Sequence, residues 1–306
     1  MIAGDRSHWS LNYISSLLII PLVDFPKITL VGVGLLGGSV GLAVKRRGLA
    51  QCVAGLVRRE ESIVECIEAG VVDMATLDLA EAVDEAALVI LCTQVGQMGE
   101  LAEQLKPHLA DKAIVTDVGS VKADVVTTVE SVLPRFVGSH PLAGSEKTGV
   151  ANARADLLVD ALCTVTPTER SDKEAVESVE KFWQALGSRT ARLSPEEHDL
   201  VVARTSHLPH VLATALVRCV LSGAEGGAAE FCATGFLDTT RLADGAAPMW
   251  RDIALANPKA IAAAVSDLQE ELDGLRMALE AENAEALEHF FDEGRRLRAD
   301  WLQGRK

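Results

Sequence analysis

The sequence predicts an α/β protein: a doubly wound, mostly parallel sheet domain followed by an all-helical domain. Three observations carry this. From residue 27 onward short apolar runs alternate with helix-length segments, a glycine-rich turn joins the first run to the first helix, and after residue 193 the pattern changes to apolar stripes at helical spacing. The expected division is an N-terminal extension over 1–26, a sheet domain over 27–193 and a helical domain over 194–306.

The elements follow in order. LNYISSLLIIPLVDF (11–25) has one basic residue ahead of it, an internal proline and no small-residue cleavage site, so it reads as an extension or a misplaced start rather than a secretory signal. It is also too short and too broken to span a bilayer. KITLVGVG (27–34) is a strand running into glycines, and LLGGSVGLAVKRRG (35–48) is a helix with a glycine stop. CVAGLV (52–57), ALVILCT (87–93) and KAIVTDVGS (112–120) are further strands, with a helix over 60–69. VGSHPLAGSEKTG (137–149) is too rich in Gly, Ser and Lys for a central strand and reads as a loop. SDKEAVESVEKFWQALG (171–187) is an amphipathic helix with Ser171 and Glu174 as a capping box and Gly187 as its stop, followed by a short strand in SRTARLS. Ser194, Pro195 and Glu197 open a long helix, which Pro209 is expected to interrupt or kink. Leu268, Leu272, Leu275 and Leu279 form one late seam, and Leu287, Phe290, Phe291, Leu297 and Trp301 a second. Two such faces near a chain end predict packing against a second copy, a homodimer.

Composition excludes several classes. With 44 acidic against 29 basic side chains the net charge is -15, which repels a phosphate backbone, and seven Phe, four Trp and one Tyr offer few stacking platforms for bases. No nucleic-acid or membrane partner is expected. The six cysteines form no CxxC pair and sit mostly in apolar runs, a pattern of reduced thiols that fits the cytoplasm and argues against zinc.

Gly32, Gly34 and Gly37 form GxGxxG between a strand and a helix, where missing side chains permit a tight turn and let backbone N–H groups reach a pyrophosphate. Leu35 and Leu36 within the motif, and Thr93 at the end of the strand over 87–93, are further cofactor-side candidates. The second strand ends in Val57, Arg58 and Arg59 without the carboxylate that reads a ribose 2′-OH. An arginine fork suits a 2′-phosphate, so NADP is favoured over NAD, the alternative being solvated arginines with Glu60 or Glu61 reading the ribose. In TSHLPH, Ser206, His207 and His210 are candidate substrate contacts, since the two histidines share a helix face; a two-histidine metal pair lacks its usual third ligand. Arg241 is a candidate carboxylate anchor, whereas Arg251 reads as one member of a surface ion pair. His140, taken alone, is a structural hydrogen-bonder, a metal ligand or a base.

The set GVGLLGGS, DVGSVK, GSHPLAGSEKTG, HDLVVARTSHLPH and TTRLADGAAPMWRDI, in this order, resembles the prephenate and arogenate dehydrogenase family of tyrosine biosynthesis over residues 27 to about 301. The resemblance implies a Rossmann-like cofactor domain, a helical dimerisation domain and oxidative decarboxylation of a cyclohexadiene in the cleft between them. Hydride leaves C4 for a nicotinamide, carbon dioxide leaves C1 and the ring becomes aromatic. It implies that His140, delivered by a flexible glycine-bordered loop, takes the 4-hydroxyl proton, and that Ser120, at a strand end, bridges this histidine, the hydroxyl and the nicotinamide. It further implies that Arg241 binds substrate carboxylate, that His210 lies on the substrate side and that Glu146 lines the mouth of the site.

Two departures from the family pattern stand out. Gln94 stands where relatives often have proline after the threonine, and the chain stops soon after Trp301 without the regulatory or mutase module many relatives carry. Any inhibition by tyrosine is then expected to act at the active site. Prephenate is the expected substrate, with arogenate or both as the alternative. A β-hydroxyacid-type dehydrogenase would place a lysine where this chain has SHLPH, and a non-catalytic NADP-binding sensor would need no His140, Ser120 or Arg241.

Overall fold

The computed structural model describes residues 24–144, 147–222 and 227–304, which divide into a unit ending at Asn257 and a second over Pro258–Lys306. In the first unit β1 (Phe25–Val31), α1 (Leu35–Arg47), β2 (Ala50–Leu56), α2 (Glu60–Glu68), β3 (Met74–Thr76), α3 (Leu79–Val83), β4 (Leu88–Leu91), α4 (Met98–Leu105), β5 (Ile114–Asp117), α5 (Ala123–Val132) and β6 (Phe136–Pro141) alternate along the chain. β7 (Leu162–Thr166), α6 (Lys173–Ala185) and β8 (Arg189–Arg192) complete an eight-stranded sheet of order β3-β2-β1-β4-β5-β6-β7-β8. Every pairing is parallel except β6 with β7. Chain order reverses at β1, which lies between β2 and β4, so the crevice beyond the C-terminal ends of β1 and β4 is where such a sheet takes its ligand.

The sheet is apolar on both faces because helices cover both. Val40, Val44, Phe182, Trp183 and Leu186 pack against one side, and Met98, Leu105, Val125, Val129 and Leu133 against the other. α1 lies close on the sheet side because position 41 is glycine: a Cβ there would collide with the Val71 carbonyl. Gly48 closes α1 in the left-handed conformation, and the chain turns into β2.

Three local expectations are corrected. Residues 136–141 form an interior strand, β6, where the sequence reads as a loop. The polar residues there are tolerated because they are satisfied: Ser139 Oγ donates to the Asp117 carbonyl (2.6 Å) and accepts from Trp183 Nε1 (3.0 Å). Gly138 in its middle is required by packing, a Cβ there falling 2.5 Å from Thr166 Oγ1. The N-cap of α6 is Asp172, whose side chain accepts from Ala175 N, while Ser171 instead bonds the buried Glu130 carboxylate (3.0 Å). Ser120 lies three residues past the end of β5, in the turn to α5, rather than at the strand end.

α7 (Pro195–Val202) opens with the expected capping box of Ser194 and Glu197. Pro209 has no N–H for the carbonyl four residues before it, and the chain absorbs this with a π turn over Ala203–His207 before α8 (Leu208–Leu221) continues the helix. The run Pro195–Leu221 is by length and mean hydropathy (1.3) apolar enough to cross a bilayer. Its His198 and Asp199 bond to β6 and to the start of α5, which makes it a helix of the folded body. α9 (Thr234–Thr240) and α10 (Ala247–Ala256) complete this unit.

The second unit is two helices, α11 (Pro258–Glu280) and α12 (Ala284–Gln303), joined by a short turn in which Asn283 caps α12 through Ala286 N (3.1 Å). Of the expected seam residues, Leu272, Leu279, Phe291, Leu297 and Trp301 are exposed and Leu268, Leu275, Leu287 and Phe290 half-buried.

Candidate active site

The turn after β1 is built for close approach. Gly32 has φ +91°, and its N–H donates to the Leu56 carbonyl (3.0 Å). A Cβ on Gly37 would strike the Gly32 carbonyl, whereas nothing lies within 4 Å of a Cβ built on Gly34, which leaves open space before the N-terminus of α1. Leu35 and Leu36 begin α1 and are half-buried. Thr93 follows β4 with a buried Oγ1 that has no hydrogen-bond partner among the described residues. Exposed Arg58 and Arg59 follow β2, Arg59 as the N-cap of α2 with Nη2 on Ser62 Oγ (3.3 Å), and no carboxylate stands at the strand end. This turn, with glycine at positions 32 and 34 and next to a helix N-terminus, fits a dinucleotide pyrophosphate.

His140 sits near the C-terminal end of β6, the same edge of the parallel strands as the glycine turn. It is held by a rigid strand rather than by the flexible loop that the sequence reading assigned to it. Its Nδ1 lies 2.9 Å from His198 Nε2, and His198 Nδ1 lies 2.8 Å from Asp199 Oδ1. A carboxylate only accepts, so His198 Nδ1 donates and its Nε2 is an acceptor. His140 Nδ1 must then donate, which leaves His140 Nε2 unprotonated, an acceptor. Asp199 is fixed in turn: Oδ1 and Oδ2 accept from Lys122 N (2.8 Å) and Ala123 N (2.9 Å) at the start of α5, and its carbonyl accepts from Asn257 Nδ2 (2.8 Å). Burial, reinforced by His198, Lys122 and His207, holds the His140 pKa well below 6.5. Burial also lowers His198, against the opposing pull of its Asp199 bond.

The π turn brings His207 and His210 to one indole. His207 is fully buried, lies edge-on to Trp250 (6.0 Å between centroids) and is depressed to about 4 by burial. The Ser120 main chain runs alongside, but neither ring nitrogen of His207 reaches hydrogen-bond geometry. His210 stacks on Trp250 at 4.0 Å and donates Nδ1–H to the Ser206 carbonyl (3.0 Å). Trp250 Nε1 is likewise buried without a hydrogen-bond partner among the described residues. Buried polar groups are nearly always paired, so Thr93 Oγ1, both His207 nitrogens and Trp250 Nε1 point to a ligand-binding region. By contrast the 480 Å³ cleft lined by Val126, Glu130, Thr168, Arg170 and Pro195 holds none of these groups, and its buried carboxylate, Glu130, is satisfied by Thr168 and Ser171.

Among the sequence candidates, then, the structure joins His140 to α7 and sets Ser120 beside His207, while His210 and Ser206 bond to each other. Arg241 is exposed and opens the turn after α9. Arg251 is exposed and paired with Asp252 (2.7 Å), as the sequence suggests. Glu146 lies outside the described residues. Sequence reasoning missed His198, Asp199 and Trp250. The only local sign of the first two is the HD dipeptide in HDLVVARTSH, whose partners lie 58 and 76 residues earlier.

A doubly wound sheet with a glycine turn at its switch point, and a buried imidazole acceptor on the same strand edge, defines a nicotinamide-dependent dehydrogenase. The family model of the prephenate dehydrogenase nucleotide-binding domain matches residues 40–192, and that of the prephenate dehydrogenase dimerization domain matches residues 194–293. The chain is 37% identical to a prephenate dehydrogenase of Bacillus subtilis over 86% of this chain and 73% of that protein. It is 34% identical to a cyclohexadienyl dehydrogenase of Zymomonas mobilis over 90% and 95% of the two lengths. The crystal structure of prephenate dehydrogenase from A. aeolicus in complex with hydroxyphenyl propionate and NAD+ matches with a TM-score of 0.85 at 32% identity, covering 90% of this chain and 97% of that one. The chain belongs to the prephenate dehydrogenase family and is an NAD(P)-dependent oxidoreductase.

Proposed function

We propose that this protein catalyses the oxidative decarboxylation of prephenate to 4-hydroxyphenylpyruvate, as a cytoplasmic homodimer joined through its C-terminal helices. The observation that carries the reading is the chain Asp199–His198–His140, which leaves His140 Nε2 as an acceptor. The nicotinamide, when bound, supplies the hydride acceptor. His140 Nε2 takes the 4-hydroxyl proton as hydride leaves C4, the C1–carboxylate bond breaks into the ring, and carbon dioxide departs. His198 and Asp199 orient the imidazole and stabilise the imidazolium that forms, since His140 Nδ1–H remains bonded throughout.

Ser120 supplies a hydroxyl between this imidazole, the substrate and the nicotinamide. On the substrate side, His207, His210 and Ser206 line the ring pocket with Trp250, and Arg241 takes a carboxylate. Gly32, Gly34, Gly37, Leu35, Leu36 and Thr93 hold the dinucleotide, and Arg58 with Arg59 favours NADP over NAD through a 2′-phosphate. The proposed boundary between cofactor and substrate regions falls near residue 193, and the two family matches, over 40–192 and 194–293, support it.

A steady-state assay of prephenate or arogenate, each with NAD or NADP, following formation of reduced nicotinamide, tests substrate and cofactor together. Turnover of prephenate with NADP preferred is the expected result. Turnover of arogenate alone would move the substrate assignment, and failure with all four pairs would overturn the reading.

A further inference from the structure

We infer that Asp117, with Lys122 as its counter-ion, is a positioning residue that locks the Ser120 turn and the His140 strand together at the reacting centre. The inference rests on the reading of His140 and Ser120 as reacting side chains.

Asp117 ends β5 and is fully buried. Its Oδ1 accepts the Ser139 N–H (2.9 Å), and Ser139 immediately precedes His140. Its Oδ2 accepts the Gly119 N–H (2.8 Å), and Gly119 immediately precedes Ser120. The same Oδ2 meets the ammonium of Lys122, which is also fully buried. One carboxylate therefore fixes the main chain one residue ahead of each proposed reacting side chain.

The sheet register shows why a side chain does this work. β5 and β6 pair at Val115 with Phe136 and at Thr116 with Val137, and no pair follows. Beyond that point the Asp117 carboxylate takes the Ser139 N–H, and the Ser139 hydroxyl takes the Asp117 carbonyl (2.6 Å). β6 is thus held in register past the end of its ladder with β5, while its other edge keeps His140 paired with Thr164 of β7. Neighbouring glycines make room for the arrangement. A Cβ at 119 would lie 2.8 Å from Asp117 Oδ2, and one at 138 would lie 3.5 Å from Lys122 Cδ and 2.6 Å from Val126 Cγ2.

Three donors converge on this group, more than a neutral amide oxygen could satisfy, and a buried carboxylate needs its counter-charge close by. The pair also bears on the charge around His140. The groups that act on that imidazole are His198 from α7, His207 from the π turn and Lys122 from the start of α5, while Asp199 of α7 and Asp117 of β5 act on His198, and the Cys163 thiol of β7 meets the His140 main chain. Within this set, removing one member of the pair leaves the other's charge uncompensated.

The test compares D117N, K122M and the double variant D117N/K122M with the parent enzyme, using prephenate and the preferred nicotinamide. D117N is expected to lower kcat about 10- to 100-fold, the effect of misplacing reacting groups by about an ångström, with KM and cofactor Kd within about threefold. The acid limb of kcat/KM should move down by roughly half a unit in D117N and up by a similar amount in K122M, and return towards the parent in the double variant. A purely structural role would lower the thermal midpoint and leave both kcat and the limb in place, which would overturn the inference. Where D117N does not fold, the double variant, which buries no lone charge, decides: loss of kcat supports the inference, and parental kcat overturns it. A parent enzyme that oxidises neither prephenate nor arogenate removes the reading beneath it, an outcome distinct from an active parent with an equally active D117N.

Discussion

The glycine turn and the histidine chain lie on the same edge of the same sheet, and they are built in opposite ways. The turn is made of backbone: Gly32, Gly34 and Gly37 act by lacking side chains and lie within six residues of one another. The histidine chain is made of side chains from distant segments. His140 comes from β6, His198 and Asp199 from α7, and the donors that fix Asp199 from the start of α5. The first kind of site tolerates change everywhere except at its glycines, whereas the second depends on every element that contributes to it.

The largest expected effect separates the two directly. His140→Asn should lower kcat about 10²- to 10⁴-fold while cofactor affinity holds, as measured by steady-state kinetics and cofactor titration. An unchanged kcat would remove His140 from the chemistry. Next comes pH. His207 has a folded pKa of about 4 against an ordinary 6.5, so the native state keeps it neutral while the unfolded chain gains a proton below 6.5. Its contribution is fully present above pH 6.5 and is lost progressively as pH falls from 6.5 to 4, about 3 kcal/mol in all at 1.36 kcal/mol per unit. The depressed His140 and His198 act with the same sign. Urea midpoints at pH 7 and pH 5 should therefore differ, and His207→Gln should shrink the difference; an identical gap in the variant would refute this assignment.

The backbone half answers to a smaller change. Gly37→Ala drives a Cβ into the Gly32 carbonyl and should weaken cofactor binding by about 1–3 kcal/mol, with kcat at saturating cofactor little altered. Isothermal titration reads the first number and kinetics the second. Arg241→Gln should raise KM about tenfold with a small effect on kcat, because a carboxylate anchor acts on ground and transition states alike. An unaltered KM would assign the carboxylate to another side chain. Smallest of all, Arg251→Ala should shift stability by about 0.5 kcal/mol or less, since its ion pair with Asp252 is largely solvated on the arginine side.

The same contrast explains what was legible in the sequence. α1 with its Gly48 stop and α7 with its capping box were readable because their signals are a few residues long. β6 was misread because its polar positions are satisfied by Asp117 and Trp183, groups from other elements that no local pattern announces. The cap of α6 shifted from Ser171 to Asp172 for a similar reason, Ser171 being drawn to Glu130 on α5. In the site, the glycines and His140 stood out as motifs, whereas His198 looked like any histidine on an amphipathic helix until β6 was placed against it. Trp250 was hidden in the same way, since its role rests on two histidines 40 and more residues earlier.

The bonds from Asp199 to the start of α5 also bear on synthesis. A ribosome releases the glycine turn and β6 well before residue 199, which is 76 positions beyond Ala123. Until then α5 lacks its carboxylate cap and His140 lacks the acceptor that sets its tautomer. The nascent sheet thus acquires its dinucleotide turn before the imidazole is set, and hydride chemistry waits for the chain to reach the helical half.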